Sequence, residues 1–145
     1  MTFNRIVDFE TFLNEARSVK PNMVVLIGGG TNEFSRSLEK ECKKKKIKIN
    51  VLDIDLTELK KIEGGYLISD GKEEASAYPD STIIVARSGV LKSTHNKEIL
   101  RTLEAGRYFI VNRLLPMEIC ENKFSTCQIL ENVGVPVPRY AILST

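Results

Sequence analysis

Three short apolar runs stand out along the chain. Met23-Val24-Val25-Leu26-Ile27, Thr82-Ile83-Ile84-Val85-Ala86 and Tyr108-Phe109-Ile110-Val111 have almost no polar interruption, the mark of strands covered on both faces. A fourth strand is expected at residues 47–54, with Ile47, Ile49, Val51 and Ile54 pointing inward. Between the runs the apolar spacing changes to that of a helix. Phe34, Leu38 and Cys42 share one face, as do Ile99, Leu100 and Leu103. Phe124, Cys127, Leu130 and Val133 recur every third residue near the end of the chain. Ahead of all these, residues 7–18 read as an amphipathic helix, with Asp8 as N-cap, Val7 and Phe12 as a hydrophobic staple, and Phe9, Phe12, Leu13 and Ala16 on the buried face.

The punctuation agrees with this alternation. Gly28-Gly29-Gly30 ends the first strand, and Thr31 or Asn32 caps the helix that follows. Lys43 to Lys46 close that helix, where cations suit the C-terminal dipole. Residues 56–62 read as a short helical or turn segment, and residues 66–69 with Asp70-Gly71 as a small hairpin. Ser93 or Thr94 caps the next helix, Gly106 stops it, and Pro116 suits the first turn of the closing helical stretch. Gly134 sits where a residue at positive φ ends a helix, and Pro136 and Pro138 then favour an extended run through residues 139–143. Strand, glycine turn, helix, strand is a right-handed βαβ unit. The whole predicts an α/β fold: a Rossmann-like open, mostly parallel sheet with helices on both faces.

Composition narrows the function without naming it. At 145 residues the chain can bury a substantial core, and 42% hydrophobic with 28% charged residues is ordinary for a globular domain. Net charge is +2, and the lysine run follows Glu39 and Glu41 with no interleaved aromatics, so nucleic acid is not the expected partner. No apolar run approaches the roughly 20 residues that span a bilayer, and residues 1–5 lack the apolar core of a signal peptide. Cys42, Cys120 and Cys127 are odd in number and scattered, which argues against a disulfide framework and for the cytosol. His95 is the single histidine and has no ligand-type neighbour at metal spacing.

Two places carry candidate chemistry. The Gly28–Gly30 turn lies at a strand's carboxyl end and a helix's N-terminus, where unpaired N–H groups favour anions. Arg87 follows another strand directly, where an arginine can pair a substrate carboxylate through two N–H groups. A dinucleotide site is the lesser alternative. Gly28 and Gly30 fit its start and Asp53 or Asp55 its ribose acid, but Glu33 stands where the third glycine belongs.

Asn122-Lys123-Phe124-Ser125-Thr126, a helix, and Gly134-Val135-Pro136-Val137-Pro138 together resemble the opening of the ATP-binding half in ATP-grasp ligases. The likeness is nearest to the ribosomal-protein glutamate ligase and glutathione synthetase type. Asn122, Phe124 and Ser125 depart from the usual Asp, Leu and Arg, whereas Lys123 is retained. Upstream, residues 83–86, Arg87-Ser88-Gly89, a helix to Ala105 and residues 108–112 resemble the preparatory domain of the same ligases. After the N-terminal amphipathic helix and linker of residues 1–22, the resemblance, which covers about residues 23–143, implies a Rossmann-like domain over 23–114 and the start of an ATP-grasp region over 115–145. It gives Lys123 a contact with ATP phosphates. By likeness to the turn of D-alanine ligases, it places Gly29, Gly30, Thr31 and Glu33 beside the substrate. The complete enzyme is expected to use ATP and Mg²⁺ to activate a carboxylate as an acyl phosphate that an amine attacks. The lid lysine and metal ligands are expected beyond Thr145. On this expectation the chain alone is inactive, binds neither cofactor tightly, and needs the missing half, in the same chain or as a separate subunit. Self-association into a homo-oligomer fits an unpaired terminal strand. The alternative is a stand-alone α/β interaction module, docking through residues 7–18 and 140–143.

Overall fold

The apolar runs become a parallel sheet in the computed structural model, which describes residues 16, 18–87 and 89–141. Contacts divide the chain into two compact units, Met1–Arg113 and Leu114–Thr145. In the first, β1 (Met23–Gly28) leads through α1 (Glu33–Lys44) to β2 (Lys48–Asp53). A 3-10 turn at Ile54–Leu56 opens onto β3 (Glu58–Ile62), β4 (Gly65–Ser69) and β5 (Glu74–Ala77). Then β6 (Thr82–Ala86) runs through a second 3-10 turn, Val90–Lys92, and α2 (Thr94–Ala105) to β7 (Phe109–Val111). The expected helix at residues 7–18 falls outside the described residues except for Ala16 and Ser18, both helical.

The larger sheet has the order β2-β1-β6-β7, and every neighbouring pair is parallel. Because β2 and β7 lie on opposite sides of the β1–β6 pair, right-handed crossovers put α1 and α2 on opposite faces. Val24, Leu26, Cys42 and Val85 cluster on the α1 face, packed by Leu38, Ile47, Ile49, Val51 and Ile83. Val25, Ile27, Leu52 and Ile84 take the other face and are fully buried, since successive strand side chains alternate. In β2 the deepest apolar side chain is therefore Leu52, while Ile54 is buried from the 3-10 turn.

The segment at residues 56–62 departs from the helical or turn expectation. Its greater part is β3, and β3, β4 and β5 form an antiparallel sheet in that order. Leu59 and Ile62 have a three-residue spacing, but pairing with Ile68 and Gly65 of β4 decides the conformation. The expected Asp70-Gly71 turn joins β4 to β5. Phe34 also departs from expectation: it stays 36% exposed, and Ser35 takes the buried position on α1.

Tyr108 joins the two sheets. Its buried hydroxyl donates to Ala77 O at 2.6 Å and accepts from Tyr66 N at 3.1 Å. Burial pushes the phenol pKa up, and neighbouring Tyr66 and Tyr78 add to the rise against the Tyr66 N–H that lowers it. Tyr108→Phe leaves a carbonyl and an N–H without this partner. We expect a loss of about 1–3 kcal/mol in folding free energy, read by urea denaturation.

The second unit consists of α3 (Leu114–Glu121) and α4 (Lys123–Asn132) with the segment that follows. Pro116 occupies the first turn of α3. Asn122 caps α4, its side chain accepting from Ser125 N at 3.0 Å. Thr126 Oγ1 donates to Ile119 O at 2.6 Å and ties the two helices. Gly134 has φ 79°, and Val135 N donates back to Leu130 O at 2.9 Å, closing the helix end. The expected strand at residues 139–143 makes no pairing through Ala141, and its remainder lies outside the described residues. Instead Tyr140 folds back on α4: its ring stands edge-on to Phe124 at 5.1 Å and its hydroxyl donates to Glu131 Oε2 at 2.6 Å. That bond to a carboxylate pushes the Tyr140 pKa up to about 12. No side chain of α4 is fully buried. Among the described residues no helix is long and apolar enough to cross a membrane.

Candidate functional site

The strand order reverses between β1 and β6: the chain leaves β1 towards β2 and leaves β6 towards β7. At such a switch point the connections diverge and open a crevice outside the strands' carboxyl ends, where α/β proteins bind ligands. The Gly28–Gly30 turn follows β1, and Arg87 follows β6. The topology thus brings together two features that lie far apart in sequence.

Arg87 is held by main-chain bonds on both sides. Its N–H donates to Ile27 O at 3.0 Å, and its carbonyl accepts from Val90 N at 3.4 Å. Asn112 Nδ2 donates to Ala86 O at 3.1 Å, bracing the end of β6. The Arg87 side chain is exposed, with Cζ 4.1 Å from the centre of the Phe34 ring. Among the described residues no carboxylate pairs with this guanidinium.

The turn itself is organised by a reciprocal cap. Of the two expected candidates, Asn32 is the N-cap of α1: its Oδ1 accepts from Ser35 N at 3.1 Å, while Ser35 Oγ accepts from Asn32 N at 2.8 Å. This pairing satisfies two helix-start donors and explains the burial of Ser35. Gly29, Thr31 and Glu33 are exposed, and Gly30 is half-buried with φ 75°.

The acids of the dinucleotide alternative are engaged locally. Asp53 Oδ1 accepts from Asp55 N at 3.0 Å, and Asp55 Oδ1 accepts from Asn96 Nδ2 at 2.7 Å. Asn96 is 1% exposed and also donates to Gly89 O at 2.9 Å. It links the loops after β2 and β6 to the start of α2. A polar residue three positions after a helix cap gives little sign of such a role, so this brace was not legible beforehand. His95 contacts Thr57 O through Nε2 at 3.0 Å. Among the described residues no three His, Cys, Asp or Glu side chains converge on a metal position.

Asp70 supports the same end of β2. Burial alone would raise its carboxyl pKa, but N–H bonds from Asp53, Glu73 and Lys72, aided by the Lys72 ammonium, hold it below the usual value. A carboxylate with a depressed folded-state pKa stabilises above its unfolded value, and that stability is lost as pH falls through the folded value. Chemical denaturation between neutral pH and about pH 3 is therefore expected to show a shallower acid loss for Asp70→Asn than for the native chain.

Lys123 is the first residue of α4 and is exposed. It belongs to the second unit, whereas Gly29, Gly30, Thr31, Glu33 and Arg87 belong to the first.

No protein-family model matches this chain. Beta-citrylglutamate synthase B of Danio rerio is 29% identical over 106 residues, 73% of this chain and 26% of that protein. The chain thus spans about a quarter of the curated relative it matches. The fold is similar to that of the macrocyclase MdnC from Microcystis aeruginosa MRC, solved bound with precursor peptide MdnA. The TM-score is 0.58 at 16% identity, over 81% of this chain and 45% of that one. The structural likeness is one of fold, and together the two comparisons support a relation to ATP-grasp ligases without fixing the subtype.

Proposed function

We propose that this chain is the N-terminal, substrate-side portion of an ATP-dependent ligase that joins a carboxylate to an amine through an acyl phosphate. The observation that carries this is Arg87: a braced cation at the sheet switch point, beside the glycine turn and without a carboxylate partner among the described residues. Arg87 holds the substrate carboxylate through two charge-assisted hydrogen bonds. Gly29, Gly30, Thr31 and Glu33 line the substrate side of the crevice. Lys123, at the solvent-facing head of α4, contacts ATP phosphates. ATP supplies the phosphoryl group that activates the carboxylate when bound. The Mg²⁺ ligands belong, like the lid lysine, to further sequence. The remaining ATP contacts belong to further sequence, in the same chain or in a partner subunit.

The test is a titration of the ¹⁵N-labelled chain with L-glutamate as a carboxylate probe. Shifts are expected at Gly29, Gly30, Thr31, Glu33 and the Arg87 side chain. Arg87→Ala should weaken binding by about tenfold or more, as loss of a hydrogen bond to a charged group implies. Shifts confined to other residues, or unchanged affinity in Arg87→Ala, would overturn the assignment. ATP-dependent ligation by these 145 residues without further sequence would overturn the partial-enzyme reading. A second reading, an interaction module without catalysis, draws on the exposed Leu130, Val133 and Val135 of the second unit. It predicts no carboxylate binding in the same titration.

A further inference from the structure

We infer that Phe34 is a positioning residue for Arg87, fixing the guanidinium so that it receives a planar carboxylate edge-on. The inference rests on the proposed role of Arg87 and adds the element that makes that arginine selective. Phe34 is the second residue of α1, and its apolar spacing with Leu38 and Cys42 assigns it to the core. Instead the ring is 36% exposed and lies against Arg87, with Cζ 4.1 Å from its centre. The capping box turns Ser35 inward and leaves Phe34 at the rim of the crevice.

This arrangement acts on the most flexible part of the site. An unrestrained arginine loses rotamer entropy when a ligand fixes it. The ring restrains the side chain before any ligand arrives, and bonds to Ile27 and Val90 already hold its main chain. It also closes one approach to the guanidinium carbon. N–H groups away from the ring remain for a ligand with two coplanar oxygens.

An exposed cation–π contact is worth about 0.5–1 kcal/mol, so its loss should weaken binding about two- to fivefold. The test compares the native chain with Phe34→Leu, Phe34→Tyr and Arg87→Ala, titrated with L-glutamate and followed by ¹⁵N spectra that include the arginine Nε–H. Three results are expected. In the free native chain the Arg87 Nε–H carries a ring-current shift that Phe34→Leu abolishes. Phe34→Leu weakens glutamate binding about two- to fivefold, and Phe34→Tyr restores it. A merely structural phenylalanine would not couple the Arg87 resonance to carboxylate affinity in this way. Unchanged affinity in Phe34→Leu alongside loss in Arg87→Ala overturns the positioning role and leaves the carboxylate site standing. No ring-current shift, or no rescue by tyrosine, overturns it too. Absence of glutamate binding in the native chain removes the Arg87 reading and this inference together.

Discussion

Alanine at Gly65 is expected to break the antiparallel sheet. A Cβ there would lie 2.1 Å from Ala77 O, with Tyr78 Cδ1 at 3.1 Å. Backbone must then move, because no flexible side chain can yield in its place. The same Ala77 carbonyl accepts the Tyr108 hydroxyl, so the displacement also strains the link to the parallel sheet. Gly65→Ala should cost about 3 kcal/mol or more in urea denaturation. It should also increase amide exchange in β4 and β5 before global unfolding. A cost below about 1 kcal/mol would show that the two strands can separate at this point without loss.

Gly89→Ala should have the second largest effect, by a different route. Gly89 has φ +97°, a conformation that costs an L-residue about 1–2 kcal/mol. Its Cβ would also meet Ile54 Cγ2 at 2.9 Å, and Ile54 is 1% exposed. Together these predict about 2–4 kcal/mol of destabilisation. The loop that would move connects Arg87 with Asn96, which holds the Gly89 carbonyl. Glutamate affinity should therefore fall in the fraction of protein that remains folded. Denaturation and titration of one sample read both effects, and unaltered stability would refute the packing account.

Legibility in the sequence followed burial on both faces. The runs at β1, β6 and β7 are apolar on both sides because the parallel sheet is covered on both sides, and composition alone located them. Caps were similarly readable: Asn32 and Ser93, each one of two expected candidates, accept from a backbone N–H at the helix start. By contrast β3 is a partly exposed edge strand, and its conformation comes from β4 rather than from its own pattern. Phe34 was misplaced because periodicity counts apolar residues without weighing a capping box that buries the neighbouring serine. The proximity of Phe34 to Arg87 needed the fold, since no local rule links residues so distant. Likewise the bond from Asn96 to Asp55 needed the fold, since the two residues lie 41 positions apart.

The pairing of β1 with β6 carries a kinetic consequence. Met23 meets Thr82, about sixty positions later, and non-local pairings of that kind slow folding towards milliseconds or longer. During synthesis β1, α1 and β2 can assemble while the centre of the larger sheet is still unmade. The β1 edge then waits, solvent-facing, for a strand the ribosome has yet to release. Chaperone capture should concentrate on nascent chains of that intermediate length.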